Sequence, residues 1–212
     1  MSDYLDVEVL DVAGLNDIAN IKLPDPTLLD YYMRREDRTI LWNDNIEDNF
    51  VDIYQDILRW NKEDIDKKLS PGNCKPIKIY INSDGGSVSA VFTIIDLIIM
   101  SHTPVITIGL GKCYSSGGLL LMSGHQRLLL PNCTVLIHDG QSGSYGSIGK
   151  MIDNLEFTKE LEKKIKHYIL SRTSITEKEY DENYRRDWWL FAEDCINYKI
   201  ADKIVMNIKE II

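Results

Sequence analysis

The sequence predicts an α/β protein that contains a βαβ unit. Residues 77–82 form a β-rich run that ends in the glycine pair Gly85 and Gly86. An almost uncharged helical run follows at residues 88–100, and residues 104–109 are again apolar and β-branched. The order of strand, glycine turn, helix and strand predicts parallel strands joined by a right-handed crossover. Strands and helices alternate along the rest of the chain, which is typical of the α/β class.

The composition predicts one soluble domain. The 212 residues are 44% hydrophobic and 27% charged, which suits one well-packed domain and is short for two. A net charge of -9 without a Lys/Arg cluster argues against nucleic acid or an anionic membrane as a partner. No apolar run reaches membrane-spanning length and no secretory signal is recognisable, so we expect a cytoplasmic protein.

The cysteine spacing argues against two classes of site. The four cysteines are widely spaced and include no C-x-x-C pair: Cys74, Cys113, Cys133 and Cys195. This pattern favours neither a metal site nor a disulfide framework, and free thiols in a reducing compartment are expected.

The first third of the chain predicts few regular elements. Residues 1–30 mix acidic side chains with scattered apolar ones before two prolines, which indicates an arm or a weak edge element. A short strand is expected at residues 39–42, followed by an amphipathic helix over about 46–60. The later part of residues 61–76 combines charge with Pro, Gly and Asn, which predicts a surface loop.

The middle of the chain predicts a buried helix between short strands. Residues 111–124 lead from the strand into a short apolar helix, and residues 127–130 and 134–137 are strand candidates. The second of these leads straight into His138. Glycine at every third position in residues 139–149 predicts a flexible extended ribbon.

The C-terminal part predicts mainly helices. Residues 151–172 have helical periodicity with a charged, solvated face. The capping-box pair Thr176 and Glu179 predicts the start of a second helix. A last short helix is expected at residues 192–198, before a strand near Ile204.

Ser115 lies in the junction between the strand predicted at 104–109 and the apolar helix that follows. A hydroxyl at a helix N-terminus faces free backbone N–H groups and the positive end of the helix dipole, which favour developing negative charge. That position suits a nucleophile. The alternative is that Ser115 or Ser116 merely caps the helix, which is the commoner role of serine there.

Two further features could complete an acyl-transfer site, which needs a base and N–H donors for the oxyanion. His138 ends a predicted strand and is a candidate base, although a lone histidine is more often structural. Gly85 and Gly86 allow the backbone to approach a substrate closely, although a glycine pair after a strand is usually only a turn.

Three motifs occur in order along the chain. They are residues 81–88 (Ile-Asn-Ser-Asp-Gly-Gly-Ser-Val), residues 111–118 (Gly-x-x-x-Ser-x-Gly-Gly) and residues 130–138 (Leu-Pro-Asn-Cys-Thr-Val-Leu-Ile-His). Together they closely resemble the ClpP family, the proteolytic subunits of the Clp protease. The likeness continues through the pair Arg186 and Asp187 and covers roughly residues 27–205.

The resemblance implies a serine peptidase with a Ser-His-Asp triad. In that family the serine of the Gly-x-x-x-Ser-x-Gly pattern is the nucleophile, and this serine falls on Ser115. The base falls on His138 and the carboxylate that orients it falls on Asp187. The oxyanion donors fall on the backbone N–H groups of Gly86 and Ser116, and neither a metal nor a cofactor is implied in this subunit.

The resemblance also implies a fold and an assembly. The fold is a crotonase-like spiral of βαβ units, with a divergent N-terminal arm at 1–26, a peptidase domain at 27–212 and a helical handle at about 139–173. Family members stack two heptameric rings into a tetradecamer with the sites inside. A hexameric AAA+ unfoldase that uses ATP feeds them unfolded polypeptides, which the glycine ribbon at the start of the handle holds as an added strand.

Five positions depart from the family pattern. Asp84 replaces a rigid proline in the glycine turn, which could alter the oxyanion turn. Cys113 and Tyr114 replace small residues before the nucleophile, which predicts a narrower neighbouring pocket. Arg185 stands at a usually acidic position, and Lys199 replaces a glycine before the last strand.

Two alternative functions stay open. Asp84 and Tyr114 suggest a catalytically silent ring subunit or scaffold that assembles with an active paralogue. A crotonase-type acyl-CoA enzyme would share the fold and an oxyanion hole of two backbone N–H groups, but such enzymes do not need Ser115 and His138.

Overall fold

The computed structural model describes residues 25–48, 51–140 and 143–212. The chain divides into two compact units, Met1–Glu36 and Asp37–Ile212. The candidate site residues all belong to the second unit.

The described part of the first unit is a helix, α1 (Pro26–Glu36). Asp25 stands before it and accepts a hydrogen bond of 2.9 Å from the Thr27 backbone amide, which satisfies one of the free N–H groups of the first turn. The weak edge element that is one of the two predictions for residues 1–30 is therefore wrong from Pro26 onward, because Asp-Pro is a helix start. The N-terminal arm stays a prediction. Residues 1–24 lie outside the described part.

The described residues of the second unit form one sheet of seven strands. They are β1 (Thr39–Trp42), β2 (Ile77–Ser83), β3 (Val105–Tyr114), β4 (Gln126–Leu129), β5 (Thr134–Ile137), β6 (Trp188–Leu190) and β7 (Lys203–Ile204). Strands β1, β2, β3, β4 and β7 lie side by side in that order, and each neighbouring pair is parallel. Strand β5 is parallel to β3, and β6 is antiparallel to β5.

Helices join most of these strands. They are α2 (Val51–Asp66), α3 (Val88–Ile99), α4 (Ser116–Ser123), α5 (Ile148–Arg172), α6 (Glu177–Asn183) and α7 (Ala192–Asn197). Short 3-10 turns lie at Pro71–Asn73 and Ile208–Glu210. The mostly parallel sheet and its connecting helices confirm the predicted α/β class, and α6 begins with the predicted capping box of Thr176 and Glu179.

Strand β3 is the longest of the described strands, and its two halves pair with different neighbours on the same side. Its first half pairs with β4 at Ile106 to Gly109, and its second half pairs with β5 at Lys112 to Tyr114. The strand predicted to end at residue 109 therefore continues for five residues, because β5 provides new backbone partners for the second half. This extension carries the chain directly to Ser115.

Three other predictions need correction. Helix α2 begins at Val51 and continues to Asp66, because its last charged residues form a solvated face with an i,i+4 ion pair between Lys62 and Asp66. Helix α5 begins at Ile148, so the end of the predicted ribbon is helical, and residues 141–142 of that ribbon lie outside the described part. The sequence pattern also predicts no strand at Trp188–Leu190, where β6 forms against β5.

Helix α4 lies within the hydrophobic core. All eight of its residues are buried, and it contacts β3 and α3. The inward face of β2, with Ile77, Ile79 and Ile81, packs in the same cluster. Each such side chain contributes about 1.5–3 kcal/mol by leaving water. The helix that follows Ser115 is thus fixed on all sides.

A buried ion pair joins the start of β1 to helix α2. Arg38 binds Asp64 with two hydrogen bonds of 2.6 and 2.8 Å, and the Thr103 hydroxyl donates a third bond of 2.7 Å to the same carboxylate. Arg38 is 7% exposed and Asp64 is 1% exposed. The Arg38 guanidinium lowers the pKa of Asp64 from 3.8 to about 2.

Asp64→Asn is expected to lower the free energy of unfolding by about 3 kcal/mol at neutral pH, because it leaves the buried Arg38 guanidinium with the exposed Glu63 carboxylate, 3.4 Å away, as its remaining acidic partner. Since the folded-state pKa of Asp64 lies below 3.8, its stabilisation is complete above about pH 4 and is lost as the pH falls towards 2. Urea unfolding from pH 7 to pH 2.5 measures both effects. Asp66→Asn, which removes an exposed pair with Lys62 on the same helix, is the matched control and should cost less than about 1 kcal/mol. Equal losses in the two variants would contradict the prediction.

Candidate active site

Ser115 occupies a sharp turn between β3 and α4. Its φ and ψ angles are 52° and -122°, a backbone conformation that a residue with a side chain rarely adopts. The turn is held by a hydrogen bond of 2.9 Å from the Ser115 amide to the Leu136 carbonyl and by bonds from the Gly118 and Leu119 amides to the Ser115 carbonyl. Strain of this kind at a strand-to-helix turn is a known way of presenting a nucleophilic hydroxyl.

The hydroxyl groups of the two serines differ in role. Ser115 is the N-cap residue of α4, but its side chain makes no capping hydrogen bond. The Ser116 hydroxyl donates a hydrogen bond of 2.9 Å to the Gly86 carbonyl, 30 residues away. The alternative that one of these hydroxyls merely caps the helix is therefore wrong. The Ser115 hydroxyl is not used to cap α4.

His138 directly follows β5, which runs beside the end of β3. The pairing of Tyr114 with Leu136 brings the ends of the two parallel strands to the same edge of the sheet, so Ser115 and His138 lie near each other. The Nε2 atom of His138 is buried and has no hydrogen-bond partner among the described residues. A buried imidazole nitrogen without a hydrogen bond costs folding free energy, and such an atom in a native structure often has a catalytic role.

Asp187 is brought to His138 by strand β6. The antiparallel pair Ile137 and Trp188 places the residue before β6 opposite the residue after β5. The Oδ1 atom of Asp187 lies 3.8 Å from Nδ1 of His138, and the Asp187 side chain is 63% exposed. This separation exceeds a hydrogen bond, so the carboxylate is adjacent to the imidazole without being bound to it.

Ser115 and His138 line one small cavity of about 40 Å³. Its other walls are mainly apolar and come from β5, α4 and α5: Leu119, Met122, Leu136, Ile137, Ile165 and Ile169. The structure thus brings Ser115, His138 and Asp187 together, whereas their catalytic roles stay predictions.

The turn at Gly85 and Gly86 lies against both Ser115 and Ile46. The φ angles are 101° at Gly85 and 144° at Gly86, where a side chain would be strained. A Cβ atom on Gly85 would lie 2.7 Å from Cβ of Ser115, and one on Gly86 would lie 2.2 Å from the Ile46 carbonyl oxygen. Only glycine fits at these two positions. Because Gly85 has no side chain, the turn can lie directly against Ser115, the candidate nucleophile.

The predicted oxyanion donors are available. The backbone N–H groups of Gly86 and Ser116 donate to no carbonyl or side chain within the described ranges. The Ser116 N–H belongs to the first turn of α4, where the helix dipole adds positive potential. Both groups are free to bind an oxygen that forms beside Ser115.

The structure explains three of the departures from the family pattern. Asp84 forms an ion pair with Lys112 of β3, which ties the glycine turn to the strand in place of a rigid proline. Tyr114 bonds the Thr134 hydroxyl at 2.9 Å and packs edge-on against Trp189, so it does not line the cavity and the expected narrowing by Tyr114 is wrong. Lys199 has a φ of 53°, a conformation that favours the glycine usual there.

One supporting residue is absent from the sequence prediction. Arg172, the last residue of α5, donates to the Met122 carbonyl at 2.9 Å and to the Gly124 carbonyl at 2.8 Å. These bonds satisfy free carbonyls at the C-terminal end of α4 and complement its dipole. The only sequence signal is an arginine at the end of an amphipathic helix, which is too common to be specific.

The described ranges 25–48, 51–140 and 143–212 contain no group of three or more His, Cys, Asp or Glu residues that could hold a metal ion. Within the same ranges, no helix combines the length and the apolar character needed to cross a membrane. The predictions of no cofactor and of a cytoplasmic location stay predictions.

Comparison with known proteins gives a consistent result. Residues 28–208 match the family model described as Clp protease. The chain is 35% identical over 139 residues, 65% of this chain and 70% of the relative, to the ATP-dependent Clp protease proteolytic subunit 2 of Treponema denticola. It is 30% identical to the subunit 2 of Tropheryma whipplei, over 73% of this chain and 94% of the relative. It is 32% identical to the ATP-dependent Clp protease proteolytic subunit of Streptococcus mutans, over 84% of this chain and 90% of the relative.

Proposed function

Because the chain belongs to the Clp protease family, we propose that it is a serine endopeptidase with Ser115 as its nucleophile. Family membership confirms the resemblance and the crotonase-like fold, and it supports a Clp-type peptidase. The observation that carries the finer proposal is the small cavity that Ser115 and His138 both line, where the Ser115 hydroxyl makes no capping bond and Nε2 of His138 has no partner among the described residues.

The proposed reaction begins when Oγ of Ser115 attacks the carbonyl carbon of a peptide bond. Nε2 of His138 accepts the hydroxyl proton and then gives it to the leaving amine, while Asp187 holds the Nδ1–H and stabilises the imidazolium. The N–H groups of Gly86 and Ser116 bind the oxyanion of the tetrahedral intermediate. Loss of the amine leaves an acyl-enzyme, and water activated by His138 releases the acid and restores Ser115.

The carboxylate must move closer for this chemistry. At 3.8 Å from Nδ1, Oδ1 of Asp187 lies about 0.6 Å beyond the upper limit of an N–H···O hydrogen bond to His138. Asp187 precedes the three-residue strand β6, so a small shift of this short element would close the triad. We propose that contacts in the assembled ring, or a bound substrate, provide this shift.

The proposed assembly is two heptameric rings stacked as a tetradecamer. The first turns of α5 carry large apolar side chains on one face at i, i+4 and i+7, namely Ile148, Ile152 and Leu155, which are 79%, 51% and 55% exposed. An exposed apolar stripe of this kind supports burial against another copy of the chain. This helix then serves as the handle that joins the rings.

The proposed substrates are unfolded polypeptides supplied by a partner. The relatives are named ATP-dependent Clp proteases, which supports an AAA+ unfoldase as the partner and ATP hydrolysis in that partner. The ribbon after His138 would hold a substrate strand through backbone hydrogen bonds, so many sequences would be accepted.

A second candidate function is a catalytically silent ring subunit. The 3.8 Å separation of His138 and Asp187 favours the silent subunit, because an imidazole that no carboxylate orients is a poor base. The active and silent subunits differ in a directly measurable property, the reactivity of Ser115.

A fluorophosphonate probe tests the proposal. We expect the purified wild-type protein to cleave a fluorogenic peptide and to carry one probe per reactive subunit, which peptide mapping should place on Ser115 and not on Ser116. Mass photometry of the same sample should show an assembly of about fourteen subunits. A complete ring that neither cleaves the peptide nor takes the probe would favour the silent subunit and contradict the proposal.

A further inference from the structure

The two segments that carry the proposed oxyanion donors are joined by a side chain. The Ser116 hydroxyl donates to the Gly86 carbonyl at 2.9 Å, and Ser116 is 1% exposed. Gly86 lies in the turn after β2, whereas Ser116 begins α4. The joined residues are the two whose backbone N–H groups are expected to bind one oxygen.

The other side of Gly86 is already occupied by Ile46. The Ile46 amide donates to the Gly85 carbonyl and the Ser87 amide donates to the Ile46 carbonyl, both at 2.7 Å. In such a parallel bridge the neighbours of Gly86 provide the bonds, so the N–H and C=O of Gly86 itself point away from Ile46. The Ser116 hydroxyl binds the Gly86 C=O on the side that faces away from Ile46. The Gly86 N–H on that same side donates to no group among the described residues.

Resting on the proposed function, we propose that Ser116 is a positioning residue for the oxyanion hole. Its own N–H is one donor. Its hydroxyl holds the Gly86–Ser87 peptide, and this bond fixes the ψ angle of Gly86 beside the Gly85–Gly86 peptide that carries the second donor. Gly86 needs this support because it lacks a side chain and has an unusual φ of 144°. Preorganised donors stabilise the oxyanion because no reorientation is needed during the reaction.

The test is a comparison of Ser116→Ala with the wild-type protein on a fluorogenic peptide. The kcat should fall by about tenfold, which is less than the loss of a whole donor, while KM stays unchanged, because the substrate carbonyl gains its full charge only in the transition state. Affinity for a peptide aldehyde, whose hemiacetal with Ser115 places an oxygen in the same hole, should fall by a similar factor. Affinity for the product peptide should not change.

Ser123→Ala is the matched control. Ser123 is also 1% exposed, lies on the same helix and donates to the Leu120 carbonyl at 2.6 Å, far from the turn at Gly86. The two variants should lose similar thermal stability, but Ser123→Ala should keep the wild-type kcat and aldehyde affinity. A shared fall in kcat would mean that the Ser116 effect is merely structural, which overturns the inference.

The remaining outcomes separate the inference from the proposed function. If the wild-type protein cleaves the peptide and Ser116→Ala matches it in kcat and in aldehyde affinity, the positioning role fails and the serine peptidase stands. If the wild-type protein neither cleaves the peptide nor binds the aldehyde, both fail together.

Discussion

Ser115→Ala is expected to abolish peptide cleavage, with kcat falling by about 10⁴-fold or more. The variant removes the Ser115 hydroxyl from the lining of the cavity, and the neighbouring Ser116 hydroxyl is bound to the Gly86 carbonyl. Alanine has the same Cβ as serine, so the backbone at φ 52° should be no more strained than before. Stability and assembly mass should therefore match those of the wild-type protein.

The measurement is fluorogenic peptide cleavage together with mass photometry on both proteins. Ser123→Ala, which removes another buried hydroxyl from α4, is the control and should keep wild-type activity. Cleavage that persists in Ser115→Ala at undiminished rate would show that another group is the nucleophile. A variant that has lost its oligomer mass would place Ser115 in the structure of the ring and not only in the chemistry.

The parts of the fold that were predicted correctly depend on local patterns. The unit of β2, the glycine turn, α3 and β3 follows from adjacent residues, as does the capping box at Thr176. The buried helix α4 follows from an uncharged run of small and apolar residues. In these segments the pattern of the chain and its tertiary environment favour the same structure.

The parts that were missed depend on partners far away in the sequence. The second half of β3 is a strand because β5 pairs with it, and β6 is a strand because it pairs with β5. Neither run is distinctive when taken alone. β-structure depends more on such pairing than helices do, so strand ends are harder to predict from local sequence.

The same distinction applies to the candidate site. Ser115 is recognisable as a polar residue at a predicted strand-to-helix junction, and His138 as one at the end of a predicted strand. The parallel pairing of β3 with β5 brings them to one edge. Asp187 could be assigned only by resemblance, since it reaches His138 through β6. The bond from Ser116 to Gly86 follows from tertiary packing across 30 residues, and the sequence carries no signal for it.

Asp187→Asn is expected to lower kcat by about 10³-fold while leaving KM and the folded assembly unchanged. An asparagine amide is neutral, so it cannot stabilise the imidazolium that forms when His138 takes the Ser115 proton. The Asp187 side chain is 63% exposed, so its exchange for a similar shape should cost little stability.

The control for Asp187 is Asp181→Asn. Asp181 is an exposed carboxylate on the neighbouring helix α6, where it pairs with Lys166, so its loss changes the net charge equally. Steady-state cleavage by both variants should show a large fall in kcat only for Asp187→Asn. If Asp187→Asn keeps most of the activity, the third member of the triad is wrong, and the 3.8 Å separation from His138 would then be a real gap and not a contact that closes in the ring. If its kcat falls as expected, this exposed carboxylate must come within hydrogen-bond distance of the imidazole during turnover, since at its present separation it could not orient the ring.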